Sequence, residues 1–245
     1  MKKIKYIIVL FIWPVFVINS QNAEIDSLVQ IGYNKIEQKD YNGSLVEFEK
    51  ALKIDKTNEN AVTGKINALI FLDNIKEATD YVEENINRYS NYSIFYYARG
   101  LLSNYKKQYK KAIEDFDKAL ELDTKGNLKK IYISRGIAYE NLKEFDDAIL
   151  DLSAYIQHDN TNINALYHRG FSYYQIEDYN EAIEDFNEVT KLDDKNGYAF
   201  YNLGMAYFRT NDLLNACKNF QIACQLNNIN ACKMILTGCA KKNVY

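Results

Sequence analysis

Histidine is almost absent from this sequence, whose 245 residues contain only His158 and His168. Nucleophilic triads need a histidine base, and zinc sites without closely paired cysteines need histidine ligands. The sequence also lacks an HExxH motif, a glycine-rich phosphate loop and a plausible Ser/His/Asp set. We therefore predict that the protein is not an enzyme and has no cofactor or metal. Both histidines are expected at the surface or at a helix edge.

Proline is scarce as well, with Pro14 as the single one, and no cysteine occurs before Cys217. Pro14 lies in an apolar run over residues 6–18 that follows a lysine-rich start. This run is shorter than the roughly 18 residues of a membrane-spanning helix, so it favours a signal peptide over residues 1–20, cleaved after Ser20. With no cysteine after the run, a lipid anchor has no attachment point. The alternative is an uncleaved N-terminal anchor.

Positive charge is also in the minority, with 30 Lys and Arg against 33 Asp and Glu and a net charge of −3. Loss of residues 1–20 removes Lys2, Lys3 and Lys5 and takes the net charge from −3 to −6. Charges of both signs are interspersed, whereas a nucleic-acid partner needs a basic stripe. We therefore predict no nucleic-acid partner and no membrane span after signal cleavage. The expected location is the periplasm or cell envelope of a Gram-negative bacterium.

A motif with a period of 34 residues runs through the rest of the chain. Glycines mark five copies, with Ile66 in the place of a sixth: Gly32, Gly100, Gly136, Gly170 and Gly204. Small residues follow twelve positions later: Ser44, Ala78, Ala112, Ala148, Ala182 and Ala216. This period indicates stacked helical hairpins. The register defines six repeats, followed by a capping helix and tail over 231–245: 25–58, 59–92, 93–126, 129–162, 163–196 and 197–230.

These positions resemble the tetratricopeptide repeat family. In repeat three the family's Ala, Phe and Ala are Ala112, Phe116 and Ala119, and the resemblance covers residues 25–230. Repeat two matches less well, with Ile66 for glycine and Asn85 for alanine. Other residues replace the family's proline: Lys56, Thr124, Asn160, Asp194 and Asn228. The resemblance implies an all-α, right-handed superhelical solenoid of six helix–turn–helix repeats plus a C-terminal capping helix.

Three repeats carry an arginine directly before the glycine and an aspartate sixteen residues later. The pairs are Arg99 and Asp115, Arg135 and Asp151, and Arg169 and Asp185. Repeats without that arginine have Glu47, Tyr81 and Asn219 at the aspartate position. Because the two charges occur together, we predict structural ion pairs between packed helices. The alternative is an arginine ladder that binds anionic ligands.

All four cysteines fall in the last 29 residues, which favours disulfides in an exported protein. The two pairs Cys224/Cys232 and Cys217/Cys239 share residue 228 as their midpoint, so an antiparallel hairpin turning there would place each pair face to face. Ala223-Cys224 followed by Ala231-Cys232 is similar to the cysteine-rich Sel1-like repeats, whose disulfide joins such a pair. The spacing of the cysteines does not suit a zinc site. The remaining alternative to disulfides is four buried free thiols.

The family resemblance also implies where a ligand would bind, since positions two, five, nine, twelve and thirteen of each repeat line the concave groove in that family. We predict a groove that is aromatic with a few amides and charges, a composition typical of peptide interfaces. Its residues are Tyr97, Leu101, Asn104, Tyr105, Lys130, Asn141, Asn164, Tyr167, Phe171, Tyr174, Gln175, Tyr198, Tyr201, Phe208 and Arg209.

The predicted function is thus a non-enzymatic scaffold that binds a protein or peptide partner. One alternative is an envelope protein that associates with carbohydrate or polymer through exposed tyrosines. Another is that the tyrosines only pack between adjacent first helices. A third alternative, a penicillin-recognising hydrolase, rests on the Ser-x-x-Lys spacing of Ser103 and Lys106, which lacks the accompanying Ser-Asp-Asn and Lys-Thr-Gly elements.

Overall fold

The computed structural model describes residues 5–124, 126 and 129–239, with side chains from residue 21 onward. The chain divides into two compact units, Met1–Leu128 and Lys129–Tyr245. Over the described residues the secondary structure is helical, without strands, so the predicted all-α helical-repeat solenoid is confirmed. Each hairpin pairs an odd-numbered first helix with an even-numbered second helix.

The N-terminal unit contains six helices in its described part: α1 Lys5–Glu37, α2 Tyr41–Ile54, α3 Glu59–Phe71, α4 Ile75–Arg88, α5 Ser93–Tyr105 and α6 Tyr109–Leu122. The described part of the C-terminal unit adds α7 Lys130–Leu142, α8 Phe145–Ile156, α9 Ile163–Gln175, α10 Tyr179–Leu192, α11 Gly197–Arg209, α12 Leu213–Gln225 and α13 Ile229–Met234, then a π-helical segment Ile235–Cys239. Helix α1 begins well before repeat one. Among the helices as far as they are described, none combines the length and apolar character needed to cross a membrane.

The crossing of the two helices of a repeat depends on the periodic glycine. In repeat three a Cβ atom at Gly100 would overlap the ring of Phe116, which is completely buried. A residue without a side chain at this position therefore lets the two helices approach closely. Leu152 takes the same buried place under Gly136 in repeat four.

Repeat two solves the same packing problem with a different glycine. A Cβ atom at Gly64 would overlap the ring of Phe48 from the preceding repeat, and Gly32 packs against the same ring from its own repeat. Ile66, which replaces the periodic glycine, is itself fully buried. Phe48 is thus held between two glycines, a feature that the 34-residue period does not reveal.

A left-handed residue closes each turn between the two helices of a repeat. These residues are not glycines, and their φ angles lie between 55° and 69°: Lys39, Asp73, Lys107, Lys143, Glu177 and Asn211. In repeat four the next amide, of Glu144, donates to the carbonyl of Tyr139 at 2.9 Å. This is the Schellman closure of a helix C-terminus. Asn227 (φ 66°) repeats it between α12 and α13.

Two disulfides hold the C-terminal end of the chain together. Cys224 is bonded to Cys232 across the α12–α13 turn with a Cα–Cα distance of 4.8 Å, and Cys217 is bonded to Cys239 at 5.7 Å. This is the pairing that the shared midpoint predicts. The terminal helix starts at Ile229, after the N-cap Asn228, and becomes π-helical beyond Met234.

The terminal segment turns its apolar residues Met234 and Ile235 inward. Both apolar residues pack against the buried cluster of Phe220 and Ala223, and Lys233 is exposed. Lys241 and Lys242 lie outside the described residues.

Candidate functional site

The predicted groove residues of the C-terminal unit lie on α7, α9 and α11, the successive first helices, and α9 contacts both neighbours. They differ widely in exposure. Tyr198 is 72% exposed. The other exposed members are Asn141, Asn164, Gln175 and Arg209, and the half-buried ones are Lys130, Tyr167, Phe171, Tyr174, Tyr201 and Phe208. We call this set the first-helix face.

The N-terminal unit carries the corresponding residues of repeat three on α5. Leu101 and Asn104 are half-buried, and Tyr105 is 48% exposed. The hydroxyl of Tyr105 donates to the carboxylate of Asp73 at 3.4 Å, so it reaches the turn of the preceding repeat.

Position five of the repeat lies at the boundary between core and surface, which corrects the prediction for Tyr97. Tyr97 is only 4% exposed, and its ring lies 5.8 Å from that of Phe116, so it does not line a surface. Tyr167 and Tyr201 occupy the same position and lie 5.8 Å and 6.0 Å from Phe186 and Phe220, the corresponding rings of their repeats. Because these side chains face the phenylalanine of the second helix, they stabilise the hairpin and expose only part of the ring.

Polar contacts link neighbouring first helices along this face. Asn202 donates to the Tyr167 hydroxyl at 2.9 Å, and His168 Nδ1 lies 2.8 Å from a Glu140 carboxylate oxygen. Burial raises the pKa of Tyr167, so its hydroxyl stays neutral at physiological pH. His168 is half-buried between helices rather than free at an edge. Part of the predicted groove is therefore used to hold the repeats together.

The C-terminal ends of α9 and α11 form an aromatic cluster with the first residue of α10. Arg209 Cζ lies 4.9 Å from the ring centre of Tyr179, and the guanidinium is 3.4 Å from Glu177. The rings of Tyr174 and Tyr179 meet edge to face at 5.4 Å. Burial raises the pKa of Tyr174, and the positive charge of Arg209 partly opposes that shift. This end of the face combines aromatic surface with one exposed cation.

The predicted Arg–Asp pairs form on the side of the second helices. Arg135 and Asp151 are joined by two hydrogen bonds of 2.7 Å, and Arg169 donates to Asp185 at 2.8 Å and 2.7 Å. Arg99 donates to Asp115 at 2.7 Å and 3.0 Å. These aspartates are buried. Each arginine lies on the first helix of a repeat and its aspartate on the second, so each pair joins the two helices of its own repeat.

The same cations also reach back to the preceding repeat. A second nitrogen of Arg99 lies 3.4 Å from Glu83, and Arg169 donates to the Ser153 hydroxyl at 3.2 Å. These arginines occupy position seven of the repeat, directly before the periodic glycine. A cation at this position thus contacts two successive second helices. The hydrogen bonds to Asp185 raise the pKa of Arg169 and keep it charged.

Repeat two contains a fourth such cation, Lys65, which the search for arginine before glycine missed. Its ammonium group is 2.8 Å from Glu49 of the preceding repeat and lies 4.5 Å from the ring centre of Tyr81. Tyr81 occupies the position of the aspartate in repeats three to five. A comparison of the seventh residue of every repeat, without regard to the glycine that follows, would have identified Lys65 as a cation at the same place.

Ser103 and Lys106, the residues of the Ser-x-x-Lys spacing, line one recess between α4 and α6. Ser103 is 8% exposed on α5. The Lys106 ammonium donates to the Thr79 hydroxyl of the preceding repeat at 3.0 Å. Lys106 is therefore engaged in a contact between repeats, and the hydrolase alternative gains no support.

Comparison with family models identifies the repeat. A tetratricopeptide repeat model matches residues 25–58 and 94–125, another tetratricopeptide repeat model matches 198–226, and a TPR repeat model matches 172–211. The chain contains tetratricopeptide repeats. Proteins with these repeats are generally interaction scaffolds without enzymatic activity. No curated protein matches the chain.

Several solved tetratricopeptide repeat structures share the fold at low sequence identity. PilF of Pseudomonas aeruginosa is 14% identical over 89% of this chain and 98% of its own, with a TM-score of 0.69. PilW, a type IV pilus biogenesis factor, is 15% identical over 87% and 98%, with a TM-score of 0.70. YrrB, which has an unusual peptide-binding site, is 21% identical over 75% and 94%, with a TM-score of 0.61.

Proposed function

We propose that this protein is a non-enzymatic scaffold of the bacterial cell envelope that binds a protein or peptide through its first-helix face. The observation that carries the proposal is the exposed aromatic surface of that face. Tyr198 exposes 72% of its surface, and Phe171, Tyr174 and Phe208 are only partly covered by neighbouring helices. Aromatic residues contribute a large share of the binding energy in protein interfaces.

Polar groups beside these rings could orient a peptide backbone. Asn164 and Gln175 are exposed on α9, and amide side chains offer both donors and acceptors. Asn141 is also exposed, but its amide donates to the carbonyl of Ile137 at 2.8 Å in its own helix. We therefore place the binding surface on α9 and α11 rather than on α7.

The location in the envelope is supported by two independent features. The lysine-rich start and short apolar run are typical of an export signal. The two disulfides use all four cysteines of the chain, and disulfides persist in oxidising compartments such as the periplasm. Intact-mass analysis of the protein from envelope extract tests signal cleavage: a mass lacking residues 1–20 supports it, and a mass that includes them supports the anchored alternative.

Selection of peptides from a display library tests the binding function. Peptides enriched on the immobilised protein are labelled, and their affinities are measured by fluorescence anisotropy. The double variant Asn164→Ala/Tyr198→Ala removes two exposed side chains from the same position of adjacent repeats. Its affinity should fall at least tenfold, because loss of a central interface aromatic typically costs about 2 kcal/mol or more.

A matched control is available on the opposite side of the same repeat. Leu214 on α12 is 71% exposed, nearly as much as Tyr198, so Leu214→Ala should leave affinity unchanged. Equal losses in both variants, or no enriched peptide at all, would contradict the proposal. Glycan-array binding that depends on Tyr198, without peptide binding, would instead support the carbohydrate alternative.

A further inference from the structure

In both units, neighbouring second helices enclose furrows next to the position-seven cations. One lies between α2 and α4, another between α4 and α6, and a third between α8 and α10. The linings include Lys65, Arg99 and Arg169 respectively, each from the first helix between the two walls. The furrows are therefore equivalent places in different repeats and can be compared directly.

The α2–α4 furrow differs from the other two in charge. It is lined by four cations and two carboxylates, a net charge of +2: Lys53, Lys56, Lys65, Arg88, Glu49 and Glu84. The α4–α6 lining has three cations and three carboxylates, and the α8–α10 lining has two cations and three carboxylates. A positive recess is thus present on a chain whose net charge is −3.

The difference in charge has two causes. Asp115 and Asp185 line the other furrows, where each neutralises an arginine, whereas Tyr81 takes that place beside Lys65. In addition, Lys53 and Lys56 lie at the end of α2 and in the turn that follows, both exposed.

The carboxylates of the α2–α4 furrow are already bound to cations of the same lining. Glu49 lies 2.8 Å from Lys65, and Glu84 lies 3.2 Å from Arg88. The charge in excess is therefore that of Lys53 and Lys56. A nearby acid, Asp55, accepts hydrogen bonds from the amide and hydroxyl of Thr57 at 2.9 Å and 2.8 Å.

The remaining lining supplies apolar contact. Leu52 and the ring of Tyr81 form part of the walls, and the volume of about 400 Å³ lies in the range of ligand pockets. Lysine ammonium groups act as mobile point charges for carboxylates, and the walls suit aliphatic side-chain stems. The furrow runs along the C-terminal halves of α2 and α4, a shape suited to a short extended segment.

We propose that the α2–α4 furrow binds a carboxylate-bearing peptide segment, with Lys53 and Lys56 as its charge partners and Leu52 and Tyr81 as its apolar wall. This surface is separate from the first-helix face and does not depend on the function proposed for that face. It gives the protein a second interaction surface, selective for acidic segments.

Titration of ¹⁵N-labelled protein followed by NMR tests the proposal, since it detects weak binding residue by residue. The probe is a tetraglutamate peptide with acetylated and amidated ends. Amide shifts should concentrate on α2 and α4, and a tetraglutamine peptide with the same blocked ends should bind at least tenfold more weakly. A tetra-alanine peptide with a free carboxylate shows whether a chain end can replace side-chain carboxylates as the anionic group.

The double variant Lys53→Gln/Lys56→Gln should weaken tetraglutamate binding at least tenfold. The matched control is Lys191→Gln/Lys195→Gln, which removes the same charge from the end of α10 and the turn after it, where the α8–α10 furrow has excess negative charge. It should change affinity less than twofold. Both lysine pairs include exposed residues near helix ends, so circular dichroism should show unchanged helicity.

Several results would overturn the proposal. These are equal losses in the two lysine variants, shifts that avoid α2 and α4, equal binding of the glutamine peptide, or inorganic phosphate binding as tightly as tetraglutamate. Asn164→Ala/Tyr198→Ala should retain full tetraglutamate affinity. Failure of the first-helix proposal and failure of this one are therefore distinguishable.

Discussion

The Arg169–Asp185 pair allows a quantitative test of what holds the repeats together. Asp185 is 3% exposed and accepts hydrogen bonds of 2.8 Å and 2.7 Å from Arg169. The change Arg169→Leu removes both and leaves a buried carboxylate without its cation. Burial already raises the pKa of Asp185, and the hydrogen bonds of Arg169 oppose that shift. Without Arg169 the ionised carboxylate is strongly disfavoured.

The size of the loss follows from these contacts. Hydrogen bonds to charged groups contribute about 1.5–3 kcal/mol each, and breaking a buried ion pair costs about 3–5 kcal/mol. The Arg169 side chain is 20% exposed, so water reaches the site and the lower end applies. We expect Arg169→Leu to lower the free energy of unfolding by about 3 kcal/mol, or the melting temperature by roughly 6–12 °C for a chain of this size.

Repeat six provides the matched control variant. It has Leu203 and Asn219 at the positions of Arg169 and Asp185, and Asn219 donates to the carbonyl of Asn215 at 2.8 Å. The double variant Arg169→Leu/Asp185→Asn copies this pair and removes the buried charge. It should cost only about 1 kcal/mol, because an asparagine at 185 can bond to its own helix as Asn219 does.

Urea unfolding monitored by circular dichroism at 222 nm measures both variants. Arg209→Leu serves as a surface control, since that side chain is 46% exposed and its ion pair with Glu177 is 3.4 Å long. Exposed pairs contribute about 0.2–1 kcal/mol. If Arg169→Leu and the double variant are equally stable, the buried charge is not the cause of the loss and the reasoning fails.

Three further predictions concern stability at other places in the fold. Cys224→Ser/Cys232→Ser should lower the free energy of unfolding by about 2–4 kcal/mol in the loop-entropy picture and speed amide exchange in α13, and unchanged exchange would contradict a stabilising role. Gly64→Ala should cost about 1–3 kcal/mol because its Cβ meets Phe48, and Phe48→Leu should reduce that cost, so additive effects would disprove the clash. The hydrogen bonds of Lys35 and Lys50 lower the pKa of Glu47, so their stabilisation is present at neutral pH and is lost as pH falls through the lowered value. Glu47→Gln should therefore be less stable than wild type at pH 7, the difference should shrink as the pH falls below 4.5, and a constant difference in melting temperature would refute this.

The sequence predicts the hairpins, their register and the ion pairs because each depends on one residue recurring at one position. Gly100 and Phe116 pack as their spacing indicates, and Arg99, Arg135 and Arg169 find the aspartates sixteen residues on. The cysteine positions likewise predict the pairing seen at the C-terminal end, because a hairpin brings residues equidistant from its turn together. In each case a local regularity of the sequence, a period or a symmetry about a turn, determines the contact.

Prediction of the candidate site is less complete because position five faces a boundary between core and surface. Groove positions taken from the family placed Tyr97 at the surface, but Phe116 lies beside it and neighbouring helices cover it. Lys65 was missed since Ile66 replaces the glycine that guided the search. Gly64 was missed because it packs against Phe48 of the preceding repeat, a contact outside its own repeat.

These two omissions both fall in repeat two, where the pattern of the other repeats changes. Lysine at position seven keeps the contact with the preceding repeat through Glu49, so the stack is maintained. Tyrosine in place of aspartate keeps a partner for the cation, because a cation over an aromatic ring contributes about 0.5–2 kcal/mol. However, the exchange removes one negative charge from the furrow. The same substitution that preserves packing therefore leaves the charges of Lys53 and Lys56 in excess in the α2–α4 furrow, where an aspartate would offset one of them, and so favours the binding of an acidic segment.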